Sequence, residues 1–548
     1  MVELVLFLTF AVLLLLGVPV AFSMGISALA AVLFKSGIAA FAPMSGVFYA
    51  SLSQETLLAI PFFILAGVIM ELTGISKRLI EFADAMVGHK KGGIALTTVI
   101  TALLFSAVSG SGPATVAAIG TILIPALVSY GYSKRHAASL VASAGEIGII
   151  LPPSIAYIVF AVVAQDYERV SIGRLFIAGI IPGIALGVVL YIVTKFLPRD
   201  LETNMAENAK AHIRKAVGGR TKAEAMADSV VANAKENTKV KVASGAVHAE
   251  GDTVIGDSVS VAEVAGGEDL SASSLSDVLA SQRRTERAPW PVIGKAFLRA
   301  IPGLLVPFII LGGIYGGIFT PTESAAVAVV YALLIGFFVS RDLKFKSLNR
   351  IFVAAGLQSS RIMFIIGSAS LFAYVLTRYK IADNIAEGML SITNNGILLI
   401  LMVNLMLLIA GMFLDAISAF YLFVPIVVPV LLGVGMDITT IGVMMTLNLA
   451  IGLITPPVGL DLFVAAGIAK IPFSEAARGI MPFLASGIVF LLLIAFLPII
   501  SNFLPDFLDL NGAYFGGIEA VVNGVEKSGD YLADLWNVIA NYFIPKTV

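Results

Sequence analysis

Cysteine is absent from the 548 residues, which excludes disulfide bridges and thiolate metal centres. Charge is scarce. Asp, Glu, Lys and Arg make up 13% of the chain, about half the share found in soluble globular domains. The four histidines, His89, His136, His212 and His248, are too scattered to form a ligand cluster. No basic stretch is interleaved with aromatics, so nucleic-acid binding has no surface to rest on. There is no GxxxxGK[ST] phosphate loop, which argues against ATP-driven transport. There is also no HExxH and no Ser/His pair at matching depth, so a membrane-embedded enzyme lacks a catalytic constellation.

What the chain has instead is apolar length. It is 58% hydrophobic, with a mean hydropathy of +0.96. Stretches long enough to cross a bilayer recur from end to end, which reads as an all-α polytopic membrane protein surrounded by lipid. Spans are expected near 3–17, 19–35, 57–73, 137–163, 173–197, 299–318, 321–340, 353–377, 438–468 and 479–503. The first run has no basic n-region and continues to Phe34, too long for a cleavable signal. The net charge of -1 says nothing about partners, because in such a chain charge sits in loops and sets topology.

Two apolar blocks, 95–131 and 398–435, are interrupted at their middle, by "SAVSGSGPAT" and "GMFLDAISAF". Each is too long for one helix and too broken for two ordinary spans, so each is expected to be a re-entrant hairpin. Irregular backbone at that depth is tolerated only inside protein or against a cavity. The first hairpin is flanked by "HKKGG" (His89 to Gly93) and "SKRH" (Ser133 to His136), both basic. It is expected to enter from the cytoplasm. The second is flanked by "ITNNG" (Ile392 to Gly396) and "GVGMD" (Gly433 to Asp437), without Lys or Arg, and is expected to enter from outside. "SRDLKFKSLNR" (Ser340 to Arg350) and "SKR" (Ser76 to Arg78) agree on the cytoplasmic side, and both termini fall outside.

A shift of 304 residues lays one half on the other without a gap: Ile147 falls on Ile451, Gly148 on Gly452, Pro152 on Pro456, Pro153 on Pro457, Pro125 on Pro429 and Gly131 on Gly435. The charge pattern makes this an inverted repeat. The expected division is a first half at 1–198, with its hairpin and the broken helix 137–163, and an insert at 199–289. A second half follows at 290–503, with its hairpin and the broken helix 438–468, then a tail at 504–548. Inverted repeats with interrupted helices at the midplane are the plan of many secondary transporters.

Each Pro-Pro removes two donors. Pro152 and Pro153 leave the carbonyls of Gly148 and Ile149 bare, and the second pair leaves those of Gly452 and Leu453, with the Thr455 hydroxyl beside them. A bare polar group in hydrocarbon costs roughly 2–7 kcal/mol, so a small hard cation is an apt occupant. Each hairpin tip is expected to face its break. The first tip offers Ser109, Gly110, Ser111 and Gly112, with Thr115 close by. The second offers Asp415 and Ser418. Half-helix N-termini at the same places would attract an anionic group.

"SGSGPATVAAIGTILIPA", "FIAGIIPG", "GGIYGGIFTPTE", "GMFLDA" and "LNLAIGLITPPVGL" resemble the large membrane subunit of tripartite ATP-independent periplasmic (TRAP) transporters, over roughly 1–198 and 290–503. The resemblance implies an elevator-type, sodium-coupled importer in a bacterial inner membrane. It would take organic acids, C4-dicarboxylates or sialic acid, from a periplasmic binding protein and act with a small four-span membrane subunit. It implies sodium ligands at Ser109–Gly112 with Gly145 and Gly148, and at Asp415 with Gly452 and Thr455. Two positions depart from the family pattern. Glu146 replaces a small or hydroxylated residue, and Asp461 replaces Asn. These acids either alter substrate choice or add a proton-coupled step, or else each faces a wet cavity or pairs locally. Arg361 reads as a snorkelling arginine rather than a substrate clamp, and Glu323 as a helix cap. A stand-alone sodium- or proton-coupled carboxylate carrier with the same inverted plan is the competing reading.

"GISKRLIEFADAMVG" places Ile75, Leu79, Phe82 and Met86 on one face, as an interfacial amphipathic helix. "KIADNIAEGML" is a weaker copy. In an elevator both would be arms between a moving and a fixed part. The segment from Arg199 to Pro289 is poor in aromatics, so disorder with local helices is expected, with valine alternation near Val240 to Val264 allowing a small β unit. The acidic tail, with "ADLWNVIANYF", is expected to form a periplasmic amphipathic helix.

Overall fold

The computed structural model describes residues 1–90, 92–197, 288–393 and 395–508. All regular structure among the described residues is helical, and eight helices are long and apolar enough to cross a membrane, or nine if one bent pair counts as a span. The first half runs through α1 (Val2–Leu15), α2 (Val20–Ser36), α3 (Ala42–Leu52), α4 (Ala59–Leu72) and α5 (Ile75–Val87). It continues through α6 (Gly93–Ser109), α7 (Gly112–Ser129), α8 (Lys134–Ile150), α9 (Ile155–Ala164) and α10 (Ile172–Phe196). The second half opens with α11 (Trp290–Tyr315), α12 (Pro321–Leu334), α13 (Phe345–Arg378) and α14 (Ile381–Ile392). It closes with α15 (Gly396–Gly411), α16 (Ala416–Gly433), α17 (Ile438–Gly452), α18 (Leu460–Ala469), α19 (Phe473–Phe496) and α20 (Ile499–Phe507).

The repeat seen in sequence is a repeat of elements. The 304-residue shift carries α7 onto α16 with both ends matching, the start of α8 onto that of α17, and α9 onto α18 within one residue. It also carries the amphipathic α5 onto α14. Both hairpins are present, α6–α7 turning at Gly110–Ser111 and α15–α16 turning through Met412–Asp415. Gly110 takes φ +63° at the first turn, a left-handed conformation that favours glycine. Both expected broken spans divide at their prolines, α8 from α9 with a bend of 46° and α17 from α18 across Leu453–Gly459. Both Pro-Pro bonds are cis.

Several boundaries differ from the hydropathy reading. The helix α3 arises where no span was expected, in an eleven-residue stretch too short to cross. The helices α11 and α13 begin at Trp290 and Phe345, ahead of their expected apolar windows. The expected span 479–503 is divided, α19 ending at Phe496 before Pro498 and α20 following. The apolar face of α5 is covered by protein rather than by lipid: Ile75, Leu79 and Phe82 are buried, and Ile75 lies against Gly303 of α11. Ion pairs from Arg78 to Asp342 at 2.7 Å and from Arg299 to Glu81 at 4.0 Å tie α5 to its neighbours. The insert, including the valine-rich stretch near Val240 to Val264, lies outside the described residues apart from Ala288 and Pro289. So does the tail beyond Leu508.

The halves interlock. The helix α9 packs on α16 of the other half, with Phe160 edge-on to Phe420 at 5.6 Å. In the matching exchange, α18 packs on α7 and α8. At one boundary of this core Arg174 of α10 donates to Thr439 (2.9 Å) and Asp506 (2.6 Å), and Asn502 donates to Asp437 and Thr440 (both 3.0 Å). A second group forms around α13, on which α2, α3 and α4 pack and where Phe7 and Phe10 of α1 meet Phe372; α12 packs on α4 and α11 on α12, and α13 also packs on α16 of the core.

Glycine sets the closest approach in the second half. A methyl group on Gly452 would lie 2.6 Å from the Gly411 Cα, so α15 and α17 touch backbone to backbone. Gly452→Ala is expected to lower stability by about 1–3 kcal/mol, the scale of overpacking. Gly467→Ala, with open space around it, should be neutral or slightly stabilising. Thermal unfolding of the detergent-purified variants checks this, and equal melting temperatures would contradict the close crossing.

Candidate functional site

The first tip faces the first break. A methyl on Gly110 would come within 2.6 Å of the Pro153 carbonyl oxygen. One on Gly148 would come within 2.6 Å of Thr115 Oγ1 and 2.8 Å of the Ser111 carbonyl oxygen. Ser111, Gly112, Thr115, Gly145 and Gly148 are thus gathered where α7 crosses α8, with Ser109 and Gly110 at the turn. The Ser111 carbonyl accepts from Thr115 N (3.1 Å) and Thr115 Oγ1 (2.7 Å). The Ile149 carbonyl is not bare, because the Ser154 hydroxyl donates to it.

The second break departs further from the sequence expectation. Gly452 and Leu453 were to leave free carbonyls, but Thr455 N donates to the first at 3.0 Å and Asp461 N to the second at 2.9 Å. The physical reason is local. The chain tightens into a turn after Gly452, so the Thr455 amide just before the prolines and the Asp461 amide beyond them fold back onto the two carbonyls. Thr455 Oγ1 donates to the Ile451 carbonyl at 2.7 Å. Asp415 caps α16: its carboxylate accepts from Ile417 N (3.1 Å), Ser418 N (3.3 Å) and Ser418 Oγ (2.6 Å). Asp415 and Ser418 therefore act together at this tip, while Gly452 stands against the incoming arm at Gly411.

The two acids beside the breaks are buried and hydrogen-bond to no protein group. Glu146 is 1% and Asp461 0% exposed, and all four carboxyl oxygens lack a hydrogen-bond partner. Arg361 is exposed on α13 and is not brought to the breaks. Glu323 closes a capping box with Thr320, accepting from Thr320 N at 2.8 Å. Sequence reasoning missed a buried amide pair: Asn448 of α17 donates to Asn404 Oδ1 of α15 at 2.8 Å, and Asn404 donates to the Ile400 carbonyl. The signal was there, since amides inside apolar spans commonly join helices.

The gathered atoms at both tips are oxygens, from carbonyls, hydroxyls and carboxylates. Among the described residues no three His, Asp or Glu side chains cluster; an oxygen donor set of this kind fits a hard cation such as sodium. The orphaned Asp461 carboxylate, buried without a donor, fits such an ion as well.

The family described as "Tripartite ATP-independent periplasmic transporter, DctM component" matches residues 7–500. The chain belongs to this family. The C4-dicarboxylate TRAP transporter large permease protein DctM of Pseudomonas aeruginosa is 35% identical, covering 83% of this chain and 87% of that protein. The isethionate TRAP transporter permease protein DctMQ of Oleidesulfovibrio alaskensis is also 35% identical over 91% of this chain, which spans only 66% of that relative's length. The sialic acid TRAP transporter permease protein SiaT of Haemophilus influenzae is 29% identical, covering 91% of this chain and 68% of that protein. Among solved structures, MtrF of Neisseria gonorrhoeae shares the fold, with a TM-score of 0.50 at 15% identity and 85% of each chain covered. A TRAP large permease is a multi-pass membrane transport protein, which bears out the all-α polytopic expectation and the family resemblance.

Asn caps a helix about as well as Asp. In sodium-free buffer Asp415→Asn is therefore expected to stay within about 0.5 kcal/mol of the parent, while Asp415→Ala loses about 1 kcal/mol. Thermal unfolding measures both. An Asn variant as unstable as the Ala variant would show that charge, not capping, holds the tip.

Proposed function

We propose that this TRAP large permease is the translocating subunit of a sodium-coupled importer of small organic anions. It works by an elevator motion, with a small four-span membrane subunit and a periplasmic binding protein. The carrying observation is the pair of tip-and-break contacts, each built from one hairpin and one interrupted helix of the same half. Support for an anionic substrate comes from four helix N-termini, those of α7, α9, α16 and α18, which begin at the tips and breaks and present positive dipole ends. The relatives' names point the same way: C4-dicarboxylate, isethionate and sialic acid are all anions.

Sodium, when bound, supplies positive charge that lets oxygen-rich backbone and an anion share a dry site. In this reading Ser111, Thr115 and Gly148 at the first tip, and Asp415, Ser418 and Thr455 at the second, would supply the oxygens that hold the ion. The second break is the more open of the two: Pro457, Val458 and Leu460 are exposed, while Leu151 to Ser154 are buried. Support for an elevator comes from the amphipathic α5 and α14, which lie between the interlocked repeat core and the group around α13, where α13 also packs directly on α16. The opposite entry of the hairpins and the external termini follow from the Lys and Arg distribution.

Vesicles holding the chain with its membrane subunit, supplied with the binding protein and labelled succinate, isethionate or N-acetylneuraminate, should accumulate one of these only under an inward sodium gradient. Equal accumulation with no sodium gradient would overturn the proposal. Full uptake without the binding protein would identify a stand-alone carrier.

A further inference from the structure

Asp461 does not serve the half to which it belongs. Its amide closes the second break by donating to the Leu453 carbonyl, but its side chain reaches the first tip. A methyl group on either Gly112 or Gly145 would lie 2.7 Å from Asp461 Oδ2, and the same two methyl positions lie 3.2 Å from the Gly145 and Gly112 carbonyl oxygens respectively. The carboxylate is thus seated in the crossing of α7 and α8, where its polar neighbours are acceptors like itself. Val116 and Ile149 line the same crossing. The carboxylate is fully buried and neither oxygen has a donor. Glu146, one residue from Gly145, is a second buried acid without a donor.

An acceptor set with no donor is repulsive unless a carboxyl takes up a proton or a cation lies among its members. The repeat shows that the feature is specific to this corner. The 304-residue shift pairs Asp461 with Tyr157 and Glu146 with Ala450, so neither acid has an acidic counterpart in the other half. The same shift pairs Asp415 with Ser111. The second tip therefore carries its own carboxylate, and the first tip, made of Ser and Gly, receives one from across the repeat. Two Gly residues, Gly112 and Gly145, leave the room it occupies.

We infer that Asp461 is a charged ligand of a cation site at the first tip, contributed by the second half, so that the ion bound there also fastens α18 to the α7–α8 crossing. This rests on the sodium reading above and adds to it a named ligand and a link between the two breaks.

The test is sodium-dependent thermal unfolding of the full chain purified in detergent, with choline chloride balancing ionic strength, for the parent, Asp461→Asn and Asp461→Ser. Without sodium both variants should melt at or above the parent's temperature, since each removes an unpaired buried charge. With sodium the parent should gain stability, and the variants should need roughly tenfold more sodium or more for a half-maximal gain, the scale of losing one charged contact. Variants that match the parent's sodium dependence overturn the inference while leaving sodium coupling intact. Variants that melt below the parent without sodium also overturn it, since Asp461 would then hold the fold rather than an ion. A parent with no sodium response defeats the sodium reading itself.

Discussion

A backbone donor deleted inside a membrane has to be replaced, because lipid offers none. This chain deletes two in succession at Pro152–Pro153 and two more at Pro456–Pro457, and the architecture between them is organised by how the loss is met. A re-entrant hairpin is brought to each break, and the helix beyond each break crosses to the opposite hairpin. With this the halves interlock, α9 packing on α16 and α18 on α7.

The two breaks solve the same problem differently. At the first, a side-chain hydroxyl from Ser154 serves the Ile149 carbonyl, and the tip backbone closes over Gly148. At the second, amides of Thr455 and Asp461 fold back onto Gly452 and Leu453. That leaves backbone better satisfied at the second break and carboxylates unsatisfied near the first. An internally repeated fold need not complete its two crossings identically, because tertiary neighbours, not the repeat unit, supply the contacts. The buried Asn404–Asn448 pair makes the point again: it joins α15 to α17, while the matching positions of the first half, Ile100 and Ala144, carry no amide side chain.

Much of this was legible in the sequence, for a physical reason. The 304-residue register is written in prolines and glycines, which act on their own backbone and so keep their meaning without tertiary context. The hairpins, the interrupted helices, the arm α5 and the cap at Glu323 were visible on that basis. What sequence could not give was distance. Asp461 stands next to the second break in the chain, and its carboxylate belongs to the first tip in space. The fate of the freed carbonyls was misjudged for a related reason, since turns that recapture them depend on where the chain goes after the prolines. The helix α3 was missed because eleven mixed residues carry no span-length signal, and the apolar face of α5 was assigned to lipid although α11 covers it.

The central claim is that the two tip-and-break pairs enter the membrane from opposite faces, and the absence of cysteine allows it to be tested with single introduced thiols. Lys90→Cys and Lys134→Cys flank the first hairpin, and Ser391→Cys and Gly433→Cys flank the second, all at exposed positions. Intact cells would be treated with a membrane-impermeant maleimide before and after permeabilisation. The account predicts labelling of the second pair in intact cells and of the first pair only after permeabilisation. Labelling of both pairs from the same side would contradict the inverted arrangement.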